Sequence, residues 1–283
     1  MSDSSAPLDV EPRSSRAMTR FADLGGRRVA HFCSGAGTPT VVLETGLGAE
    51  SQEWAVVQRG VEQFTRVCRY DRAGRGDSDP AARPRSARAM IFDLHELLQR
   101  AAIPGPYVLV GHSFGGLLVR LFAHWYRGDT AGLVLVDSMH EDQFAVFGPR
   151  FPAPTAHDSP ALSQLRAFWT VGWREPNSTT EGIDFPESIA QAQEIAAFGQ
   201  LPIEVLTAGT FLNQALVPER AREPLQHLWN DLQQRFLTLS SNSVSTFVPD
   251  SGHFMQRDRP DKVIEAIHRV VAGVRQAEAL PGD

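Results

Sequence analysis

The segment Gly111-His112-Ser113-Phe114-Gly115-Gly116 follows the apolar run Tyr107–Val110 without a spacer and passes directly into a second apolar run, Leu117–Trp125, of helical character. A strand that turns at once into a helix around a serine leaves little room. The positions two before and two after the serine must be small, and Gly111 and Gly115 meet that need. Such a turn strains the serine backbone and projects its hydroxyl above the strand ends. The pattern G-x-S-x-G recurs by chance, so the flanking strand and helix carry the weight of the reading.

The rest of the chain repeats this alternation. Val29–Phe32, Val41–Glu44, Val67–Tyr70, Tyr107–Val110, Leu133–Val136, Ile203–Leu206 and Val244–Val248 are short apolar or β-branched runs that predict strands. Between them, Met90, Ile91, Leu94, Leu97 and Leu98 fall at helical spacing, as do Leu225, Leu228, Trp229, Leu232 and Phe236, and Val263, Ile264, Ile267, Val270 and Val271. These stripes read as core-facing helix surfaces rather than cofactor boxes. The expected class is α/β, a mostly parallel sheet covered by helices on both faces. Residues 138–200 break the alternation: they show no strand pattern but carry Phe144, Phe147, Phe151, Phe168, Trp169, Trp173, Phe185 and Phe198. Ser159-Pro160 makes a helix start there, with a side-chain oxygen at the N-cap and proline in the first turn. The expected organisation is a core of residues 17–137 and 201–283 with a helical cap inserted at 138–200. Residues 1–16, rich in Ser, Pro and charge, are expected to form a disordered leader.

Charge and cysteine content narrow the partners. Lys and Arg number 27 against 33 Asp and Glu, a net charge of −6, and no basic block is present to follow a phosphate backbone, so nucleic acid is not an expected partner. No apolar run reaches the roughly 20 residues that cross a bilayer, and the N-terminus carries no secretory h-region. The expectation is a soluble, cytoplasmic protein. Cys33 and Cys68, both in apolar strand-like stretches, read as small buried thiols in a reducing compartment, not as a disulfide or a metal site. His140-Glu141-Asp142 lacks the spacing of a closed ligand set, so no metal and no cofactor are expected.

A serine hydroxyl is a poor nucleophile at neutral pH and needs a base to accept its proton and return it to the leaving group. His253 is the candidate: it follows the last predicted strand in Val248-Pro249-Asp250-Ser251-Gly252-His253-Phe254, C-terminal to the serine, with a helix expected from about Pro260. His112, beside Ser113, reads instead as packing near the turn or touching substrate.

With these motifs the chain, from about Phe21 to Val274, resembles the α/β-hydrolase superfamily. The resemblance implies that Glu44-Thr45-Gly46-Leu47-Gly48 is the oxyanion loop, although a histidine often stands where Thr45 does, and that the backbone N–H groups of Leu47 and Phe114 hold the oxyanion. Asp71-Arg72-Ala73-Gly74-Arg75-Gly76-Asp77-Ser78 is similar to a turn beside the active site in this superfamily and reads as structural. Its Arg75-Gly76-Asp77-Ser78 matches a cell-adhesion tetrapeptide by coincidence.

The third member of the triad departs from the common pattern. Relatives usually carry Asp or Glu just beyond the seventh strand, and here Thr207-Ala208-Gly209-Thr210-Phe211-Leu212-Asn213-Gln214 offers no carboxylate. Asp137, at the end of Leu133–Val136, takes the place used in haloalkane dehalogenases and zearalenone lactonases. Asp250, Glu141 and Asp142 stay open as alternatives, as does a plain turn role for Asp137. A serine nucleophile argues against dehalogenase and epoxide-hydrolase chemistry. The resemblance thus implies cleavage of an ester or lactone of a small hydrophobic molecule, with Phe144, Phe147, Phe168, Trp169, Trp173 and His112 as candidate substrate contacts. Amidase, thioesterase, carbon–carbon hydrolase and cofactor-free haloperoxidase chemistries, and a non-catalytic receptor, remain open, because fold does not choose among them.

Overall fold

The computed structural model describes residues 19–211 and 216–279; the expected leader at 1–16 lies outside them. Eight strands form one sheet in the order β1-β2-β4-β3-β5-β6-β7-β8: β1 Arg20–Asp23, β2 Arg28–Ser34, β3 Thr40–Glu44, β4 Val67–Tyr70, β5 Tyr107–His112, β6 Thr130–Val136, β7 Ile203–Thr210 and β8 Ser243–Gly252. β2 runs antiparallel to both β1 and β4, and every other neighbouring pair is parallel.

Strand alternation sorts the apolar side chains into two cores. Val41, Leu43, Val108, Val110, Val134 and Val136 pack with α1 (Ala55–Val61) and α9 (Pro260–Ala279). Val42, Leu109, Leu133, Leu135, Ile203 and Val205 pack with α2 (Ala87–Arg100), α3 (Phe114–Trp125) and α7 (Glu219–Arg235). Parallel strands are buried on both faces, which is why they read as continuous apolar runs. The three predicted stripes lie on α2, α7 and α9.

Residues 138–200 contribute no strand to the sheet. They form α4 (Gln143–Phe147), α5 (Pro160–Thr170) and α6 (Phe185–Gln193) with short 3-10 turns between. Ser159 caps α5, its hydroxyl accepting the Leu162 N–H at 3.1 Å. A four-residue helix, α8 (Met255–Asp258), follows β8.

Two features differ from expectation. β1 carried no strand signal: Arg-Phe-Ala-Asp is short and mostly exposed, and it pairs with β2 through a turn in which Asp23 Oδ1 accepts the Gly26 N–H. Cys33 and Cys68 are joined in a disulfide, which overturns the expectation of two separate thiols. The reason is register: antiparallel pairing sets Cys33 directly opposite Cys68, with Cα atoms 4.1 Å apart, and nothing local in the sequence announces that β2 pairs with β4. The argument from free thiols to a reducing compartment falls with it. Among the described residues no helix is long and apolar enough to cross a membrane.

Candidate active site

Ser113 stands between β5 and α3 with φ +52° and ψ −120°, a region a serine rarely occupies. The backbone there is crowded enough to require glycine: a Cβ on Gly111 would lie 2.4 Å from the Gly115 carbonyl oxygen, and one on Gly115 would lie 2.5 Å from that of Thr45. Hydrogen bonds from the Ser113 N–H to the Val136 carbonyl (3.1 Å) and from the Met139 N–H to the Ser113 carbonyl (2.8 Å) lock the turn to the end of β6.

That strand end also delivers Asp137, completely buried and itself at φ +43°. Its two oxygens face different partners. Oδ1 accepts the Trp229 Nε1–H at 2.8 Å and the Ala208 N–H at 3.0 Å, while Oδ2 lies 2.6 Å from His253 Nδ1. An ionised carboxylate only accepts, so the contact fits the tautomer with the proton on His253 Nδ1, which leaves Nε2 free to accept a hydrogen bond. Trp229 belongs to an α7 stripe that reads only as core, and Phe211 stacks on its indole with centroids 4.4 Å apart. The other candidate carboxylates go elsewhere: Asp250 pairs with Arg259, Glu141 with Arg120 at 2.9 Å and Asp142 with Arg235 at 2.9 Å.

His112 is buried behind the turn. Its Nε2 donates to the His253 carbonyl at 2.8 Å, and Gln256 Nε2 donates to its Nδ1 at 3.2 Å. Burial, reinforced by the nearby His253, holds its pKa well below the ordinary value and keeps the ring neutral.

Ser113 and His253 line one cavity of about 230 Å³ with Leu47, Phe114, Met139, Gln143, Phe144, Leu165, Phe168, Trp169, Phe185, Phe211 and Trp229. Of the candidate substrate contacts, Phe144, Phe168 and Trp169 therefore line it, and His112, Phe147 and Trp173 do not. Phe147 is wholly buried behind the wall against Trp169, Phe211 and Trp229, and Trp173 stacks on Phe144 with centroids 4.7 Å apart. Met139, Gln143 and Leu165 carried no site signal in the sequence. A larger groove of about 870 Å³ along α2 and Trp125–Tyr126 does not touch Ser113.

The 44–48 loop lies against the Ser113 turn, where a Cβ on Gly46 would sit 3.3 Å from Ser113 Cβ. Neither the Leu47 nor the Phe114 N–H donates to another described group. Behind this loop lies a buried charge cluster. Arg72 donates to Glu181 Oε1 and Oε2 (2.7 and 2.8 Å), to Glu44 Oε1 (2.6 Å) and to the carbonyls of Thr45 and Gly46 (2.7 Å each). Burial alone would lower the Arg72 pKa, but Glu181 and Glu44 outweigh it and raise it. The two carboxylates diverge: burial raises Glu44 despite Arg72, whereas for Glu181 the charge and hydrogen bonds of Arg72 overcome burial and lower it.

Residues 32–266 match the family model described as "Alpha/beta hydrolase family". The chain is 27% identical over 256 residues to "Uncharacterized protein YqjL" of Bacillus subtilis (strain 168), covering 87% of this chain and 89% of that one. It is 28% identical to "Probable transporter efuK" of Hormonema carpetanum, covering 88% of this chain but only 42% of that longer protein. Among solved structures it resembles a thermophilic esterase from Thermogutta terrifontis, with a TM-score of 0.59, 21% identity, and 91% of this chain and 99% of that one covered.

Proposed function

Since this chain belongs to the alpha/beta hydrolase family, we propose that it is a serine hydrolase that cleaves a carboxylic ester or lactone of a small hydrophobic molecule through an acyl-enzyme on Ser113. The observation that carries this reading is the Asp137–His253 contact of 2.6 Å, with the same imidazole lining one apolar cavity with Ser113.

Ser113 Oγ attacks the substrate carbonyl carbon and its proton passes to His253 Nε2. Asp137, oriented by the Trp229 and Ala208 N–H groups, stabilises the imidazolium and fixes its tautomer. Negative charge on the carbonyl oxygen is met by the N–H groups of Leu47 and Phe114, which donate to no other described group, and each such donor contributes about 3–4 kcal/mol in comparable sites. Collapse expels the alkoxide, which takes the proton from Nε2. Water then repeats the sequence on the acyl-enzyme and frees Ser113.

The aromatic lining supports an apolar substrate, and a volume of about 230 Å³ supports a small one. Ser113→Ala and His253→Gln are each expected to reduce p-nitrophenyl acetate turnover by about 10⁴-fold or more. Turnover retained by Ser113→Ala contradicts the assignment.

A further inference from the structure

We propose that Arg72 and Glu181 are positioning residues that together clamp the oxyanion loop, so that the inserted segment 138–200, through Glu181, helps to stabilise the transition state. The inference rests on the reading that a tetrahedral oxyanion forms at Ser113.

The loop Thr45–Gly48 has no sheet neighbour to accept or donate its hydrogen bonds, and Thr45 and Gly46 are buried while Leu47 and Gly48 are half-buried, so its backbone groups need other partners. Arg72 supplies donors to the Thr45 and Gly46 carbonyls at 2.7 Å each and to Thr45 Oγ1 at 2.8 Å. Glu181 Oε1 accepts the Gly48 N–H at 2.6 Å, and Arg75 donates to the Gly48 carbonyl. Leu47, whose N–H donates to no described group, sits between these fixed points and lines the Ser113 cavity.

The two clamp residues come from distant parts of the chain: Arg72 follows β4, and Glu181 precedes α6, 109 residues later. Neither is more than 3% exposed. A buried ion pair of this kind is a poor source of net stability, because the desolvation cost rivals the attraction. What it does supply is rigid geometry. A planar guanidinium with five N–H groups spreads its donors over Glu44, Thr45, Gly46 and Glu181 at once. A displacement of about 1 Å in a catalytic group costs on the order of 10²-fold in rate.

The test uses the full chain with Glu181→Gln, which preserves shape but removes the charge, and the paired apolar replacement Arg72→Met with Glu181→Met in case the first unfolds. Four quantities are read: kcat and KM for an ester, amide hydrogen exchange at residues 46–49, and affinity for an alkyl trifluoromethyl ketone. Ser113 Oγ adds to that ketone, its proton moves to His253, and the carbonyl oxygen becomes a hemiketal oxyanion. We expect faster exchange at 46–49, a fall in kcat of roughly 10- to 100-fold with KM changed less than about threefold, and a parallel loss of ketone affinity. Exchange as slow as in the wild type overturns the clamp whatever the chemistry. Freed amides with unchanged kcat and ketone affinity overturn its link to the oxyanion. A wild-type protein that neither turns over esters nor binds the ketone overturns the serine-hydrolase reading and this inference together.

Discussion

Asp137 divides its two oxygens between two sets of partners: Oδ1 accepts from Trp229 and Ala208, and Oδ2 faces His253. Replacing it by Asn offers His253 Nδ1 an amide that can present a donor, which favours the wrong tautomer, so Asp137→Asn is expected to lower kcat by about 10³- to 10⁴-fold. Asp250→Asn is expected to leave kcat within about threefold, because Asp250 is exposed and pairs with Arg259. The reverse ranking in ester assays contradicts the assignment. Trp229→Phe removes one of the two donors that orient Oδ1 and is expected to lower kcat for an ester by about 3- to 10-fold with KM little changed, and an unchanged kcat contradicts the role given to the indole. Ser113 and His253 were legible from the residues around each, since a glycine-bounded turn and a post-strand loop are local patterns. Asp137 required the missing carboxylate of the 207–214 stretch and a family resemblance. Trp229, Gln143 and Glu181 were not legible, because their contacts join residues far apart in the chain, 92 residues in the case of Trp229 and Asp137.

At the level of elements, the sequence patterns located seven of the eight strands and four of the helices that cover them, α2, α3, α7 and α9, but not α1. The missing one, β1, is a polar edge whose pairing comes from a turn rather than from apolar alternation. The aromatic content of 138–200 marked that segment, but which rings face the cavity depends on how α4, α5 and α6 pack. Phe144, Phe168 and Trp169 line it, while Phe147 and Trp173 support them from behind. The apolar wall yields a graded expectation. Each methylene that enters the cavity is worth about 0.8 kcal/mol, so kcat/KM for linear p-nitrophenyl esters is expected to rise by roughly fourfold per carbon and then fall once the cavity is full. Trp169→Ala is expected to shift that maximum to longer chains. A chain-length profile that is flat in both proteins removes the cavity from the account.

For the whole molecule, the Cys33–Cys68 bond closes a span of 35 residues between neighbouring strands. Replacing both cysteines by serine is expected to cost about 2–4 kcal/mol and to lower Tm by roughly 5–15 °C, and an unchanged Tm contradicts a stabilising role. Burial lowers the pKa of three histidines, His31, His112 and His140, and the last two shape the response to acid most. Burial lowers the pKa of His112 well below 6.5 and that of His140 to about 4. Above pH 6.5 both are neutral folded and unfolded and add no pH dependence. Below it only the unfolded chain takes up their protons, so stability falls with pH, by about 1.4 kcal/mol per pH unit for each, through the window from 6.5 to about 4 for His140. Urea unfolding at pH 7 and pH 5 reads this slope, and His140→Gln is expected to flatten it. The central claim remains that Ser113 is the nucleophile of a hydrolase whose fold and family are established. It is tested most directly by treating the intact protein with a fluorophosphonate and reading its mass and its peptides. The account predicts one adduct per chain, on Ser113, with loss of esterase activity in step with labelling. An unlabelled Ser113 in an active preparation, or full labelling of another residue with the same loss of activity, contradicts it.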